Sequence, residues 1–471
     1  MRIKMILPAL TEALSPHWRP IKYSLFPPLG LATIASFCPD DAEIELQDEH
    51  VQPLTLDDDP DLVVIQVYVT SAYRAYELAD HYRAQGAYVC LGGLHVTALP
   101  EEAAQHADTI FLGPGEDTWP QFWADWHGGT VQPVYGSTVR SLLGVPPIRR
   151  DLIQRDRYLV PNSIVVSRGC PHHCDFCYKG AFYQGGKSFY TQAVDEALAE
   201  IERLPGRHLF FLDDHLFGNA QFAESLFEGM RGMNRVWQAA GTVHAILKPG
   251  LLEKAVESGL RSLFVGFETL NEANLREQHK YHNLNRDYTA AIRRLHEFGV
   301  MINGSFVYGM DEDDPSVGDR TVEWAVSQGI ETATFHILTP YPGTALYDRM
   351  AAQGRLLHHH WPDYDTRHVV FQPARIDAAA LESLYWRSYQ QFYRWSAIFQ
   401  GAWQKPTWEH RARHLFYAGG WKKFEPLWDM IIRAEQVAKI SPMLERILAG
   451  LPGVRSPSLA RPIQPIPQAQ P

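Results

Sequence analysis

Three cysteines that fall within eight residues carry the clearest chemical signal in this sequence. Cys170, Cys174 and Cys177 follow the spacing C-x-x-x-C-x-x-C, directly after a short apolar run. Three thiolates on one short loop can converge on one soft metal centre, and thiolates select iron–sulfur clusters, zinc or copper. The remaining cysteines, Cys38 and Cys90, lie far away along the chain.

The number of thiolates favours an iron–sulfur cluster. A structural zinc ion normally has four protein ligands, and His172 or His173 inside the same loop could supply the fourth. Three cysteines on a [4Fe–4S] cluster leave one iron with an open position, which indicates chemistry rather than scaffolding. Zinc and three buried structural cysteines are the alternatives.

Length and composition limit the class of protein. The chain has 471 residues, 45% of them hydrophobic and 21% charged, and domains of ~100–200 residues would give roughly two to four. The 43 Lys and Arg against 54 Asp and Glu give a net charge of −11, which disfavours nucleic acid as a main partner. An odd count of five cysteines argues against a disulfide scaffold. No apolar run approaches the ~20 residues of a membrane span and no signal peptide is evident, so we expect a cytoplasmic protein.

Residues 1–126 alternate apolar runs with helical stretches, which predicts an α/β fold with a doubly wound, Rossmann-like parallel sheet. Five strands are expected at 3–7, 43–46, 61–69, 87–91 and 108–112, with helices at 28–37, 71–85 and 116–126. Ligands of such sheets bind at the carboxyl ends of the strands. The residues there that we expect to contact a cofactor are Thr70, Ser71 (also the predicted N-cap), Gly92, Gly93, His95, Gly113, Gly115 and Glu116.

Residues 127–160 lack periodicity and are interpreted as a linker, and residues 161–345 form a second β/α series. Six predicted strands fit a partial (β/α)6 barrel, two units short of an eightfold barrel. The strands are expected at 163–167, 208–213, 242–247, 260–268, 300–308 and 332–338. The helices are expected at 191–204, 222–237 and 285–298, the last with Asn285 as its cap and Gly299 as its terminator.

The C-terminal part is predicted to be mainly helical over residues 346–450. Helical stretches are expected at 378–399 and 425–448, and the proline-rich residues 451–471 are expected to be disordered. The aromatic residues between 385 and 395 favour helix packing, although part of them could line a substrate pocket or form a lid. The triplet at 358–360 consists of histidines in a polar stretch, which favours a solvated segment over a metal site.

The cysteine motif, with Phe176 before its last member, resembles the signature of the radical S-adenosylmethionine (SAM) enzymes. In that superfamily the open iron chelates SAM, and one electron cleaves its S–C5′ bond to give a 5′-deoxyadenosyl radical. The resemblance covers about residues 160–345, and it implies SAM contacts from the segments 211–215, 266–269 and 303–309, followed by a matching segment at 339–344. The residues implied are Asp213, Asp214, Glu268, Gly304 and Ser305. The structural alternatives are helix capping for the two aspartates, exposure for Glu268 and strand packing for Gly304.

The order of the domains resembles the cobalamin-dependent radical SAM proteins, in which a doubly wound domain precedes the radical SAM core. Segments 27–35, 48–54, 91–102 and 112–119 carry this match, because glycines let a backbone approach a flat macrocycle. Many cobalamin domains contain D-x-H-x-x-G, whose His ligates cobalt, whereas here Asp48-Glu-His50 is followed by Pro53 and comes after the second strand. The resemblance therefore implies cobalamin without a protein His ligand. A vestigial or partner-binding sheet is the alternative, and the missing G-x-G-x-x-G disfavours a nicotinamide domain.

By resemblance, we expect a cobalamin-dependent radical SAM enzyme that methylates an unactivated carbon of a small molecule. It would use a [4Fe–4S] cluster, SAM, cobalamin and an external electron donor such as flavodoxin or ferredoxin. Oxidative cyclisation or rearrangement, as in the anaerobic tetrapyrrole cyclases, is the alternative with the same cofactors. A non-enzymatic cobalamin or light sensor is the alternative of another class, and the sequence assigns no catalytic side chain.

Overall fold

The computed structural model is built around two six-stranded parallel sheets, one after the other along the chain. The structure describes residues 1–10, 25–420 and 437–449. No helix within these ranges is both long and apolar enough to cross a bilayer. The expected tail at 451–471 and the first half, 425–436, of the helical stretch expected at 425–448 lie outside the described residues.

The first sheet confirms the doubly wound fold. Its strands are β1 (Arg2–Leu7), β2 (Glu43–Asp48), β3 (Leu62–Gln66), β4 (Tyr88–Gly92), β5 (Thr109–Leu112) and β6 (Val134–Gly136). Its helices are α1 (Leu29–Ala35), α2 (Ala72–Ala84), α3 (Leu94–Ala98), α4 (Pro100–Ala103) and α5 (Gly115–Gly128). The strand order is β2-β1-β3-β4-β5-β6, so the direction of growth reverses between β1 and β3, the place where such sheets bind ligands.

Apolar side chains cover both faces of this sheet, as the near-continuous apolar run of β3 predicts. Val63 and Ile65 pack in the cluster that contains α2, whereas Leu62 and Val64 pack in the cluster that contains α1 and α5. All four are at most 7% exposed. Each buried side chain of this size stabilises the fold by about 1.5–3 kcal/mol, so helices are required on both faces.

Two details of this domain differ from the sequence prediction. β6 lies inside the segment 127–160, which we interpreted as a linker, and pairs with β5. A strand of three residues is too short to leave a recognisable alternation in the sequence. Ser71 precedes α2 as expected but makes no capping bond, because its hydroxyl contacts the carbonyl oxygen of Tyr68 at 3.5 Å.

The second sheet has the strand order of a partial barrel. The strands of this region are β7 (Ser163–Ile164), β8 (Ser167–Gly169), β9 (Phe189–Thr191), β10 (His208–Phe211), β11 (Val236–Gly241), β12 (Leu260–Glu268), β13 (Met301–Tyr308) and β14 (Thr332–Ile337). Its helices are α6 (Lys179–Phe182), α7 (Val194–Arg203), α8 (Ala220–Met230), α9 (Val243–Leu247), α10 (Leu251–Glu257), α11 (Glu272–Glu277), α12 (Tyr288–Glu297), α13 (Val317–Ser327) and α14 (Ala345–Ala352). In the order β7-β10-β11-β12-β13-β14 every strand neighbours the next strand of the sheet along the chain, whereas β8 and β9 form a separate antiparallel ribbon.

The third strand of the barrel was predicted at the wrong place. It begins at Val236, and residues 243–247 form α9 instead. Thr242 starts this helix, because its hydroxyl accepts a hydrogen bond from the N–H of Ala245. The helix expected at 222–237 ends at Met230, since Gly232 turns the chain with a φ of +84°.

The cap of α12 was also predicted at the wrong residue. Asn285 has a φ of 54° and lies in the turn before the helix. Asp287 is the cap, because its carboxylate accepts a hydrogen bond from the N–H of Ala290. Gly299 ends the helix in the left-handed conformation, as expected.

The C-terminal helices close the outer edge of the barrel sheet. They are α15 (Ala378–Phe392), α16 (Trp395–Trp403), α17 (Trp408–Ala418) and α18 (Val437–Ala449), so the helix expected at 378–399 is two helices. The hydroxyl of Tyr393 lies 2.9 Å from both the N–H and the carbonyl oxygen of Ala333 in β14. The hydroxyl of Tyr389 likewise lies 3.1 Å from the N–H nitrogen and 3.3 Å from the carbonyl oxygen of Phe335. These tyrosines therefore satisfy backbone groups that an edge strand otherwise leaves open.

We predict that Tyr393→Phe destabilises the fold by about 1–3 kcal/mol, because a buried N–H and carbonyl oxygen lose their partner. Thermal unfolding measures the change as a lower midpoint. Tyr281→Phe is the matched control, since Tyr281 is 57% exposed and its loss of a hydroxyl should leave the midpoint unchanged. Equal midpoints for the two variants would contradict the edge-capping role.

Candidate active site

The three cysteines lie on a loop, residues 170–188, that the ribbon of β8 and β9 closes at its base. Gly169 pairs with Phe189 across the ribbon, and the N–H of Cys170 donates to the carbonyl oxygen of Ser188 at 2.8 Å. Gly169 has a φ of +77°, and a Cβ there would overlap the carbonyl group of Ser188. Glycine is therefore required directly before the first cysteine.

The cysteine thiols share one electrostatic environment and are all partly exposed. Burial raises the pKa of Cys174 to about 12, and the charges of Cys177 and Cys170 also raise it. Within the described ranges, no three His, Cys, Asp or Glu side chains are grouped to hold a single metal ion. The thiolates of a [4Fe–4S] cluster each bind a different iron, and Cys170, Cys174 and Cys177 are the residues that would hold one.

Asp175, between the second and third cysteines, ties the loop to neighbouring helices. Its N–H donates to the carbonyl oxygen of Gln278 at 3.1 Å, and its own carbonyl accepts from the N–H of Leu346. Its carboxylate lies 2.6 Å from both His279 Nδ1 and Arg349 Nη1. The loop is thus held by α14 and by the residues that follow α11.

Two lysines, the buried Lys280 and the half-buried Lys179, flank the loop, and sequence reasoning missed both. Lys280 Nζ lies 2.8 Å from Glu268 and 5.9 Å from the ring centre of Phe176, while Lys179 Nζ lies 3.1 Å from Asp214. Burial opposes the charge of Lys280, but its pKa is raised overall because Glu268 and the thiol of Cys174 favour the charged form. Both lysines therefore place positive charge beside the thiolates. Neither stands in a local pattern that the sequence could have revealed.

Three histidines group beside the loop; the sequence analysis considered His172 as a possible zinc ligand but did not predict this group. The ring of His172 stacks on His282 with centroids 3.8 Å apart and lies 5.5 Å from His215. Burial lowers the pKa of His172 to about 4, of His215 to about 3 and of His282 to about 2. These rings are therefore neutral near pH 7 and pack as flat aromatic groups.

The two aspartates that the resemblance implies contact SAM accept hydrogen bonds from the segment directly before the cysteine loop. Asp213 is buried and accepts hydrogen bonds from the N–H groups of Val166 and Ser167 and from the Ser167 hydroxyl. Burial raises the pKa of Asp213 to about 7. Asp214 accepts from the N–H of Gly169 at 2.9 Å. Neither caps the following helix, and their assignment to SAM stays a prediction.

The remaining residues implied to contact SAM lie on β12 and β13. Glu268 has a φ of 63°, a backbone conformation that is rare for residues other than glycine. It lies where the pairing of these strands shifts register. Gly304 makes room for packing, since a Cβ there would lie 3.1 Å from the ring of Phe306. Ser305 is buried one residue further along β13. Their contacts with SAM stay predictions.

A cavity of about 330 Å³ lies between the carboxyl edge of the first sheet and the cysteine loop. Its wall includes Gly92, Gly93, Gly113, Gly115 and Glu116 from the predicted set, with Gln66 at the end of β3 and Tyr68 just after it. The other side includes Ser167, Arg168, Tyr178 and Asp214. Tyr178 directly follows Cys177, so the cavity adjoins the loop.

The glycines of this cavity bring backbone to its surface. Gly93 has a φ of +117°, and a Cβ there would lie 2.9 Å from the carbonyl oxygen of Val67. Gly113 has a φ of +74°, and a Cβ there would lie 3.2 Å from the carbonyl oxygen of Phe182. Side chains are thus excluded at these two positions, which fits the close approach of a large flat cofactor such as cobalamin.

Three predicted contacts lie elsewhere: Thr70, Ser71 and His95 are not among the described residues that line the cavity. His95 is buried with Nε2 2.9 Å from Glu102, and its ring packs edge-on against Trp361 at 5.5 Å. Burial lowers its pKa, so the ring is neutral. His95 therefore joins the first domain to the segment around Trp361, and its assignment to the cofactor stays a prediction.

His50 is likewise outside the described lining of the cavity. Its Nδ1 lies 2.8 Å from Asp48 Oδ1, and Asp48 Oδ2 accepts a hydrogen bond from the hydroxyl of Tyr158 at 2.9 Å. The altered D-x-H motif thus forms a buried structural contact with residues 127–160. That His50 does not ligate cobalt stays a prediction.

An ion pair connects the two sides of the cavity. Glu116 Oε1 accepts hydrogen bonds from Arg168 Nε at 3.1 Å and Arg168 Nη2 at 2.8 Å. The side chains are 10% and 24% exposed, so the pair is largely shielded from water. Arg168 stands two residues before Cys170, so this pair sets the position of the cysteine loop relative to the first sheet.

Comparison with known proteins decides the family. Residues 164–342 match the model of the radical SAM superfamily, and residues 23–122 match that of the B12 binding domain. The chain belongs to the cobalamin-binding radical SAM enzymes. This radical SAM enzyme is 29% identical to bacteriochlorophyllide d C-12(1)-methyltransferase of Chlorobaculum tepidum, over 80% of the chain and 85% of the relative. It is 26% identical to hopanoid C-2 methylase of Rhodopseudomonas palustris, over 71% of the chain and 66% of the relative.

Solved structures share the fold of this radical SAM enzyme. The methyltransferase TsrM from Kitasatospora setae, with cobalamin and a [4Fe–4S] cluster bound, has a TM-score of 0.63 at 14% identity, covering 93% of this chain and 99% of TsrM. OxsB with aqua-cobalamin bound has a TM-score of 0.64 at 12% identity, covering 95% of this chain and 76% of OxsB. At these identities the likeness concerns the fold.

We predict that Ala in place of Cys170, Cys174 or Cys177 prevents cluster assembly, because each thiolate binds a different iron. Iron and sulfide analysis after anaerobic reconstitution should find no stable [4Fe–4S] cluster in these variants. Cys38→Ala is the control, since Cys38 packs in the core of the first domain and should leave the cluster content unchanged. A full cluster in any of the three variants would remove that cysteine from the ligand set.

We predict that Glu116→Gln destabilises the enzyme by about 1–3 kcal/mol, because it leaves the shielded charge of Arg168 without its counter-ion. A double-mutant cycle with Arg168→Met, measured by denaturant unfolding, should show that the two effects are not additive. Glu101→Gln is the matched control, an exposed glutamate in α4 whose change should have no effect. Additive effects would show that the pair does not join the domains.

Proposed function

We propose that this enzyme transfers a methyl group to an unactivated carbon of a small-molecule substrate. The observation that carries the proposal is the shared cavity of about 330 Å³, which puts the glycine-lined edge of the first sheet opposite the cysteine loop. Radical formation and methyl delivery must act on the same substrate carbon. A site that joins both domains allows this, because both reacting groups can be held within contact distance of that carbon.

The residues that would hold each group follow from the geometry. Cys170, Cys174 and Cys177 would bind the [4Fe–4S] cluster, and the edge around Gly93 and Gly113 would bind cobalamin. When bound, the cluster with SAM supplies a 5′-deoxyadenosyl radical and cobalamin supplies the methyl group. The protein positions these groups and excludes water from them.

The charged residues around the loop have positioning roles. Lys179 and Lys280 lie beside the thiolates and would offset part of the negative charge of a bound cluster. Glu268 and Asp214 hold these two lysines in place. Arg168 fixes the loop to the first domain through Glu116.

The relatives support methyl transfer over oxidative cyclisation or rearrangement. Their names describe methyl transfer to a bacteriochlorophyllide and to a hopanoid, and this chain spans 85% of the first relative. The anaerobic magnesium-protoporphyrin IX monomethyl ester cyclase of Cereibacter sphaeroides is less similar, at 24% identity over 62% of its length. An external one-electron donor such as flavodoxin or ferredoxin, and a cytoplasmic location, belong to the same proposal.

The test is anaerobic reconstitution with a cluster and cobalamin, followed by reduction in the presence of SAM and a small-molecule extract. We expect 5′-deoxyadenosine, S-adenosylhomocysteine and a product heavier by one methylene, which carries deuterium when the SAM methyl group is deuterated. Cys177→Ala is the control and should give no deoxyadenosine. Deoxyadenosine with a product that has lost hydrogen or gained oxygen would indicate cyclase chemistry, and no deoxyadenosine at all would refute the radical mechanism.

A further inference from the structure

An exposed row of aromatic side chains runs along α16. Trp395, Phe399 and Trp403 recur every four residues, so they lie on one face of the helix, and they are 43%, 54% and 73% exposed. The other side of the helix packs inward through Ala397, Ile398, Gly401 and Ala402. Folded proteins normally bury most of such rings, so a row of them in water indicates a surface that binds another molecule.

The next helix, α17, adds two more exposed rings. A Cβ at Gly419, directly after α17, would lie 3.3 Å from the ring of Trp395 at the start of α16, so the two helices are antiparallel. We call residues 395–418 the α16–α17 hairpin. Trp408 and Phe416 on its second helix are 64% and 65% exposed. With the rings of α16 they leave roughly 400–600 Å² of aromatic surface in water, the size at which an apolar patch is often functional.

Positive charge accompanies these rings. Residues 383–408 contain no Asp or Glu, and Glu409 is the one acid between 383 and 420. Arg394 is exposed directly before α16, and the guanidinium of Arg411 lies 4.8 Å from the ring centre of Trp403. Neither arginine forms an ion pair with a carboxylate in the described part of the chain. In a chain with a net charge of −11, the hairpin is therefore a local excess of the opposite sign.

The positive surface continues onto the end of the barrel where the strands begin. A cavity of about 390 Å³ lies there, and three arginines at the starts of β10, β11 and β12 line it: Arg207, Arg235 and Arg261. Glu257, the acid among its described lining residues, already pairs with an arginine outside the cavity. Burial lowers the pKa of Arg261, and the charges of Arg413 in α17 and of Arg207 lower it further. The hairpin and this cavity thus form one basic region.

This region lies at the opposite end of the barrel from the cysteine loop. Lys280 beside the loop pairs with Glu268 at the carboxyl end of β12, whereas Lys405 of the hairpin pairs with Glu331 directly before β14. The eight residues of β13 span about 25 Å between these two ends. A protein that delivers an electron to the cluster must approach the loop, so an electron donor is not the partner that fits this surface.

A lipid bilayer with anionic headgroups matches both the rings and the charge. A bilayer presents one sign of charge over its whole area with an apolar layer beneath, whereas the surface of a soluble protein carries both signs interspersed. Exposed Trp and Phe side chains with interleaved arginines, and no acid over residues 383–408, are typical of helices that lie in the headgroup region. Such docking needs no membrane-spanning helix.

We propose that the α16–α17 hairpin and the arginines at the adjoining end of the barrel dock this enzyme on the surface of an anionic lipid bilayer. Four rings enter the headgroup region: Phe399, Trp403, Trp408 and Phe416. Arg394, Arg411 and the arginine-lined cavity contact lipid phosphates. The cysteine loop then lies at the end of the barrel away from the bilayer, and the inference does not depend on the proposed function.

Vesicle flotation tests this proposal on the full-length enzyme loaded with cluster and cobalamin. We expect the enzyme to float with vesicles of equal parts phosphatidylglycerol and phosphatidylcholine, and to bind vesicles of phosphatidylcholine alone at least about tenfold more weakly. Added salt should release it, because exposed charges are screened. Equal binding to both vesicles would overturn the role of the arginines, and no flotation with the anionic vesicles would overturn the proposal.

Matched variants test the residues. Trp403→Ser should lower the partition coefficient about tenfold, because the bilayer no longer removes that ring from water. Leu143→Ser is its control, since Leu143 is 67% exposed but lies in the segment 127–160, and its change should leave binding unaltered. Arg394→Gln should lower the coefficient about fivefold, whereas Arg83→Gln in α2 of the first domain should not.

Iron and cobalamin content, measured for each variant, shows that it folds. Flotation that survives the combined change of Phe399 and Trp403 to Ser would overturn the hairpin as the docking site.

A second copy of the chain is the competing partner for an exposed aromatic row, and sedimentation velocity without vesicles distinguishes it. We expect a sedimentation coefficient that Trp403→Ser leaves unchanged. A dimer that Trp403→Ser splits into monomers would show that another copy covers these rings, and it would overturn the assignment to a bilayer.

Discussion

The contact between Glu116 and Arg168 is the constraint on which the site of this radical SAM enzyme depends. It joins the first turn of α5 to the strand that begins the cysteine loop. A largely shielded charge is unfavourable without its partner, so the pair favours the relative position of the two domains in which it forms. In that position the glycine-lined edge and the residues on either side of the cysteine motif, Arg168 and Tyr178, line the same space. The glycine cradle and the cysteine motif are each local features, and this pair makes them one site.

The features that the sequence predicted well are those with local causes. The spacing of Cys170, Cys174 and Cys177, the apolar run of β3 and the glycines after β4 and β5 can each be recognised within a few residues. The first sheet and the order of the barrel strands follow from such signals, because buried parallel strands leave uninterrupted apolar runs. The helix terminator Gly299 was recognisable for the same reason.

The features that the sequence did not predict depend on distant partners or on ambiguous short runs. Lys280 acquires its role from Glu268, twelve positions away and across a turn, and His172 stacks on a ring more than one hundred positions later. The segment 236–247 is mainly apolar, and periodicity alone cannot divide it between a strand and a helix. The capping bond of Thr242 makes this division, and it is visible only in three dimensions.

The tyrosine hydroxyls that cover β14 have a consequence for the protein as a whole. An uncovered outer strand is a template on which another chain can add its own strand, which is a common route to aggregation. Tyr389 and Tyr393 come from α15 and the residue that follows it, more than fifty positions after the strand they protect. The barrel is therefore shielded against such self-association only once synthesis has passed these residues. A fragment that ended with the matched superfamily region at 342 would expose β14 as an uncovered edge strand.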